Sequence, residues 1–174
     1  MLHQPLQNGV DMKHAALLLT ILVLTILALT SSVVAATERA LWPLRGTITQ
    51  TYAWKGPKNG HSGIDIAARH GTPVYAALSG TVTAAGWNVY GYGNLIVIRG
   101  VDGRDYYYAH NSSLSVRRGQ SVRQGQQIAR VGSTGRSSGP HVHFEIRNGS
   151  RMLDPLAILP RSQVQQASAR GAAR

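Results

Sequence analysis

At 174 residues the chain has room for one compact domain with flanking segments and not for two full domains. Apolar residues make up 43% and charged residues 14%, enough for a core and too few charges for global disorder; the absence of cysteine excludes a disulfide framework, a thiolate zinc site and a cysteine nucleophile. The 18 basic against 7 acidic residues give a formal net charge of +11, which favours anionic partners without choosing among nucleic acid, a membrane surface and a carboxylate-rich polymer.

Residues 15–29 read AALLLTILVLTILAL and follow Lys13 and His14. At about 1.5 Å per residue this run reaches about 22 Å, short of a hydrocarbon core of about 30 Å, so it fits the apolar region of a signal peptide better than a membrane span. Val34, Ala35 and Ala36 supply the small side chains that a signal peptidase needs. The expectation is a signal peptide over residues 1–36, cleaved after Ala36, with Met12 as an alternative start, and export to the periplasm, cell envelope or exterior. Retention of the leader as an anchor is the alternative, and it is the one membrane contact expected.

From residue 42 to residue 159, short apolar runs alternate with Gly, Pro, Asn and Asp, the pattern of strands joined in hairpins. Residues 81–84, 94–99 and 106–110 carry the β-branched and aromatic side chains of strands, with Asp102-Gly103 as a tight turn between the last two. Residues 116–130 read as two further strand edges around Gly119 and Gly125, and no stretch keeps a helical period for three turns. The expected fold is therefore all-β, an antiparallel sheet domain over residues 37–160 with short loops and little helix. Residues 161–174 have little to bury and read as a disordered basic tail. There is no repeat and no strand-to-helix phosphate loop, and without stacking aromatics or a groove-reading helix no nucleic-acid partner is expected. A monomer is the default expectation.

Two motifs carry chemistry. In Gly60-His61-Ser62-Gly63-Ile64-Asp65 an imidazole and a carboxylate can converge across a small-residue turn. In His141-Val142-His143-Phe144-Glu145-Ile146, strand alternation puts Val142, Phe144 and Ile146 on a core face and two imidazoles and a carboxylate on the other. His110 closes the run YYYAH and by the same alternation shares a face with Tyr106 and Tyr108. Four of the five histidines beyond the leader lie in these three motifs. Two His and one Asp, with no Cys, match an open catalytic zinc site in which a bound water becomes a nucleophile near neutral pH, with spare histidines to move protons or stabilise an oxyanion.

In order, GHSGIDI, YYYAH and GSTGRSSGPHVHFEI, with GTPVYAALSGTV, GYGNLIVI and RRGQSVRQGQQIARVGSTG between them, resemble the M23 zinc metallopeptidases, the lysostaphin-like or LytM-type peptidoglycan endopeptidases, from about residue 41 to residue 156. The resemblance implies an antiparallel β fold with a groove over one Zn2+, held by His61, Asp65 and His143. It implies catalytic roles for His141, as base or proton shuttle, and for His110, steadying the negative charge that develops on the substrate. Tyr52 is a weaker candidate for transition-state help, and Glu145 is expected to brace a ligand or form an ion pair rather than bind metal. The implied activity is hydrolysis of a peptide bond in the peptide part of peptidoglycan, with residues 132–139 and 88–93 bordering the groove. All five site positions are filled, whereas inactive relatives that serve as regulators typically lack some; the rival expectation is a non-catalytic wall-binding or hydrolase-activator domain of the same fold.

Overall fold

The computed structural model describes residues 13–14, 16–25, 38–56 and 60–161. They fall into two units, Met1–Thr37 and Glu38–Arg174. In the first, residues 13–14 and 16–25 are helical, and no helix among the described residues is long and apolar enough to cross a membrane. The expected cleavage point after Ala36 and the tail beyond residue 161 lie outside the described residues.

The second unit is built from strands β1 (Thr47–Gln50), β2 (Ile64–Ala67), β3 (Pro73–Tyr75), β4 (Gly80–Asn88), β5 (Gly93–Gly100), β6 (Asp105–Asn111), β7 (Ser113–Leu114), β8 (Ser121–Val122), β9 (Gln127–Arg130), β10 (His141–Asn148) and β11 (Arg151–Leu153). One 3-10 turn, Pro155–Ala157, follows, with the Asp154 carboxylate accepting from Leu156 N–H at its start. All pairings are antiparallel: a large sheet in the order β1-β2-β10-β6-β5-β4-β8, with β11 also on β10, and a small sheet β3-β9-β7. This is the mostly antiparallel β fold that the alternating pattern implies.

The core lies where the alternation of the central strands directs apolar side chains. Ile64 and Ile66 of β2, Val142, Phe144 and Ile146 of β10, Tyr106 and Tyr108 of β6 and Ile96 and Ile98 of β5 join Val74, Ile128 and Ala129 of the small sheet in one buried cluster. Phe144 packs tilted against Tyr108 and Tyr106, with ring centroids 5.3 and 6.3 Å apart. The opposite face of the large sheet carries a smaller cluster of Leu95, Val97 and Ala109, against which Tyr92 and Tyr107 pack, and beside it lie the polar residues of the site.

Two local expectations change. The β5–β6 connection is a three-residue loop over residues 101–103, closed by Gly103 N–H to Gly100 O (2.9 Å) and Gly100 N–H to Arg104 O (2.8 Å), so Asp102-Gly103 is not the central pair of a two-residue turn. Gly103 takes φ 79°, the left-handed residue that ends such a loop.

The second change concerns His110. The β5–β6 register runs from Arg99 opposite Asp105 to Ile96 opposite Tyr108, then jumps to Asn94 opposite Asn111: two steps on β5 against three on β6. The extra residue is a bulge, and His110 within it has φ 62°, the one positive φ outside glycine among the described residues. The bulge overturns the expectation that His110 shares a face with Tyr106 and Tyr108: those rings are in the core, and His110 faces His141 with ring centroids 4.8 Å apart. The Asn111 amide donates to Tyr108 O (2.8 Å) and Asn94 O (2.9 Å), and the Thr134 hydroxyl donates to Asn111 O (2.8 Å), pinning the bulge in place.

Candidate metal centre

The β2–β10 register sets Asp65 directly opposite His143, so a carboxylate and an imidazole meet on the face away from the core. His61 reaches them from the turn before β2, which is held to residue 53 by reciprocal backbone hydrogen bonds. That turn lies close against β10: a Cβ on Gly63 would sit 2.2 Å from Phe144 O. Glycine is required there for close approach rather than for the bending freedom that the sequence suggests.

Three donor atoms converge. Asp65 Oδ1 is 2.7 Å from His143 Nδ1 and 3.1 Å from His61 Nε2, and the two nitrogens are 3.0 Å apart. Four ligands at zinc bond lengths of 2.0–2.1 Å stand about 3.3 Å apart in a tetrahedron, so this triangle is close to the size needed. The other ring nitrogens define the chemistry. His61 Nδ1–H donates to Thr51 O (3.0 Å) and His143 Nε2–H donates to Glu145 Oε1 (2.8 Å), so in their neutral forms both rings turn a lone pair toward Asp65. Lone pairs on two nitrogens and a carboxylate oxygen, with no donor among them, form a cation site. His61, Asp65 and His143 are the one group among the described residues able to hold a metal ion.

The electrostatics agree. Burial alone would push His143 down, but hydrogen bonds to Asp65 and Glu145 raise it to about 9, so without an ion a proton sits on Nδ1 between the two carboxylates, in the place that a bound cation would take from it. Burial would raise Asp65, yet its hydrogen bonds with His143 and His61 hold it well below the usual carboxylate range. A donor set of N and O atoms with one side open fits zinc.

Glu145, fully buried, is the hub behind the donors. Its Oε1 also accepts from Ser62 Oγ (2.6 Å) and Tyr92 Oη (2.8 Å), and its Oε2 accepts from Arg147 Nε (2.6 Å) and Nη2. Burial opposes its charge, but the hydrogen bond from His143 leads the effects that lower it to about 2. The Arg147 guanidinium lies 3.9 Å over the Tyr107 ring and donates to Tyr92 Oη (2.7 Å).

His110 and His141 flank the triad without joining it. His110 Nδ1–H donates to Thr134 O (2.7 Å) and His141 Nδ1–H to Gly139 O (2.8 Å), so in the neutral form each ring keeps an unprotonated Nε2. Burial is the main influence on His110 and lowers it, which favours the neutral ring. His141 Nε2 is 3.8 Å from Asp65 Oδ2. The five residues open on a cleft of about 650 Å³, walled by Tyr90 and Tyr92 on one loop and by Arg136 and Ser137 on another, the two segments expected to border a groove.

Tyr52 is placed otherwise: its hydroxyl donates to Met152 O (3.3 Å), and it does not line the cleft. No motif in the sequence marks Tyr92, Arg147 or Arg136 as part of the site. Tyr92 and Arg147 stand in GYGNLIVI and next but one to Glu145, but nothing in one dimension shows that they share its carboxylate.

Fold and cluster together define a β-sheet domain with a nitrogen-oxygen cation site on an open cleft. Residues 59–155 match the model of peptidase family M23, and the chain belongs to that zinc-dependent family. It is 43% identical over 119 residues to the murein hydrolase activator NlpD of Escherichia coli K12, covering 68% of this chain and 31% of that one. Among solved structures it is similar to the catalytic domain of lysostaphin from Staphylococcus simulans (TM-score 0.60, 35% identity, 64% of this chain and 90% of that one). It is also similar to a zinc-containing peptidase from Vibrio cholerae (TM-score 0.62, 36% identity, 71% of this chain and 41% of that one). The chain spans less than half the length of the curated relatives it matches first.

Proposed function

We propose that the chain is an exported zinc endopeptidase that cleaves a peptide bond in the peptide part of bacterial peptidoglycan. The observation that carries this reading is the convergence of three lone-pair donors beside two histidines whose neutral rings keep Nε2 unprotonated, all on one open cleft. His61, Asp65 and His143 would hold the ion, which when bound polarises a carbonyl and lowers the pKa of water toward about 7. Glu145 fixes the His143 tautomer and keeps Nδ1 available. His141 Nε2 takes the proton of the attacking water and passes it to the leaving amine, and its Nδ1–H bond to Gly139 O keeps the accepting nitrogen turned to the cleft. His110, with its Nδ1–H held by Thr134 O and its neutral ring favoured by burial, is a second acceptor that orients the attacking water.

The apolar leader supports export, and two relatives are named as lipoproteins. Incubating the purified chain with sacculi and identifying released fragments by mass spectrometry tests the reading. New peptide termini support it. One observation favours a second reading, a hydrolase activator: the name of the NlpD relatives. Its signature is the absence of new termini with the chain alone and faster release when a separate wall hydrolase is added.

A further inference from the structure

The cleft carries one charge that the metal centre does not use. Arg136 lies on its wall in the loop before β10, and among the described residues its guanidinium has neither an ion-pair nor a hydrogen-bond partner. The acid lining the cleft, Asp65, is engaged by His61 and His143 at 3.1 and 2.7 Å. The other arginine near the site, Arg147, is neutralised by Glu145. Arg136 is nevertheless held in position. Its N–H donates to Gly91 O (2.8 Å), and its side-chain stem lies along Gly91, where an added Cβ would come within 2.8 Å of Arg136 Cδ and 3.3 Å of Cγ. Gly91 has φ 108°, so glycine is demanded there by conformation as well as by space. The neighbouring Gly135, at φ 72°, lets the two loops close on each other: a Cβ on it would be 2.4 Å from both Gly91 O and Gly93 N. The backbone at Arg136 is thus fixed against the loop of Gly91, with the stem passing along that glycine, and the exposed guanidinium is left for a ligand.

We propose that Arg136 is a specificity-determining residue that binds a carboxylate of the peptide substrate, so that the cleft selects acidic peptides over amidated ones. This rests on the reading of the cleft as a peptide-binding site. The planar guanidinium fork suits two parallel hydrogen bonds to a carboxylate. The carboxylate can belong to the chain terminus of a stem peptide or to the side chain of an acidic or diamino-acid residue within it; both present the same group.

The test uses the full zinc-loaded chain, Arg136→Ala and Arg136→Lys, and three crosslinked stem peptides: one with free carboxylates, one amidated at its terminus and one amidated at its side-chain carboxylate. Cleavage gives kcat and KM, and fluorescence anisotropy of labelled peptide on a His141→Ala background gives Kd without turnover. Arg136→Ala should raise KM and Kd about tenfold for the acidic peptide, with kcat within about twofold of wild type and an unchanged melting temperature. Wild type should show the same loss on one of the amidated peptides, which identifies the carboxylate, and Arg136→Ala should not distinguish that peptide from the acidic one. Arg136→Lys should recover part of the affinity. Equal weakening of all three peptides by Arg136→Ala, or no weakening of any, overturns the proposal. Carboxylate preference in binding without any cleavage would uphold the anchor and refute the hydrolase reading; cleavage indifferent to Arg136 would do the reverse.

Discussion

Replacing Glu145 by Gln probes how far the metal centre depends on what stands behind it. The side chain is fully buried and accepts from His143 Nε2 (2.8 Å), Ser62 Oγ (2.6 Å), Tyr92 Oη (2.8 Å) and the Arg147 guanidinium. Gln keeps the volume but offers one acceptor oxygen, turns an NH2 toward a donor, and removes the charge opposite Arg147. Breaking a buried ion pair from one side costs about 3–5 kcal/mol. Arg147 retains 18% side-chain exposure and its place over Tyr107, so about 2–4 kcal/mol is expected for the metal-free protein. Because the folded state lowers Glu145 from 4.5 to about 2, its contribution is complete above about pH 4.5 and is lost as pH falls toward 2. The stability gap between wild type and Glu145→Gln should therefore narrow in acid by up to about 1.4 kcal/mol per pH unit, and because Glu145 also helps raise His143 from 6.5 to about 9, part of the gap should be lost as well as pH rises from about 6.5 to 9. With the tautomer of His143 no longer fixed by a carboxylate, zinc affinity should fall about 10- to 100-fold. Urea unfolding at several pH values and competition with a chromophoric chelator measure the two effects. Zinc affinity within about twofold of wild type together with unchanged unfolding would refute this account of the hub.

The histidines should separate by role: His143→Ala is expected to lose zinc and hydrolysis together, and His141→Ala to keep most of the metal and lose turnover, read by metal content alongside kcat. At residue 110 the left-handed backbone predicts that His110→Gly is more stable than His110→Ala by about 1 kcal/mol, the reverse of the usual order in a strand, by thermal or urea unfolding. Gly63→Ala should destabilise by about 1–3 kcal/mol and weaken zinc binding as well, because the added methyl drives the turn bearing His61, and with it the start of β2 that carries Asp65, off β10; calorimetry and metal titration read both effects.

The alternation of residues 141–146 was legible because a period of two on a strand needs no tertiary information, and the structure keeps Val142, Phe144 and Ile146 in the core and His141, His143 and Glu145 on the other face. The same rule failed at His110. A bulge inserts a residue without any local mark, and its stabilisers, Asn94, Asn111 and Thr134, come from three separate segments. Asp65 and His143 are far apart in sequence, and what sets them opposite each other is the β2–β10 register. The Glu145 hub was only half visible: a carboxylate beside imidazoles on a strand suggests a partner, but Tyr92 reaches it from another strand's approach and Ser62 from the turn before β2. Arg136 carries no signal in a chain already rich in arginine; its standing comes from a guanidinium that has no acidic partner among the described residues.

Whether His61, Asp65 and His143 hold a divalent ion decides what the cleft does. The most direct measurement is metal analysis of the purified chain, before and after stripping with a chelator and re-addition of zinc, with sacculus hydrolysis followed on the same samples. One zinc per chain, activity that disappears with it and returns on re-addition, and no zinc in His143→Ala are the predicted results. Hydrolysis that persists in fully stripped protein, or full zinc content in His143→Ala, would contradict it.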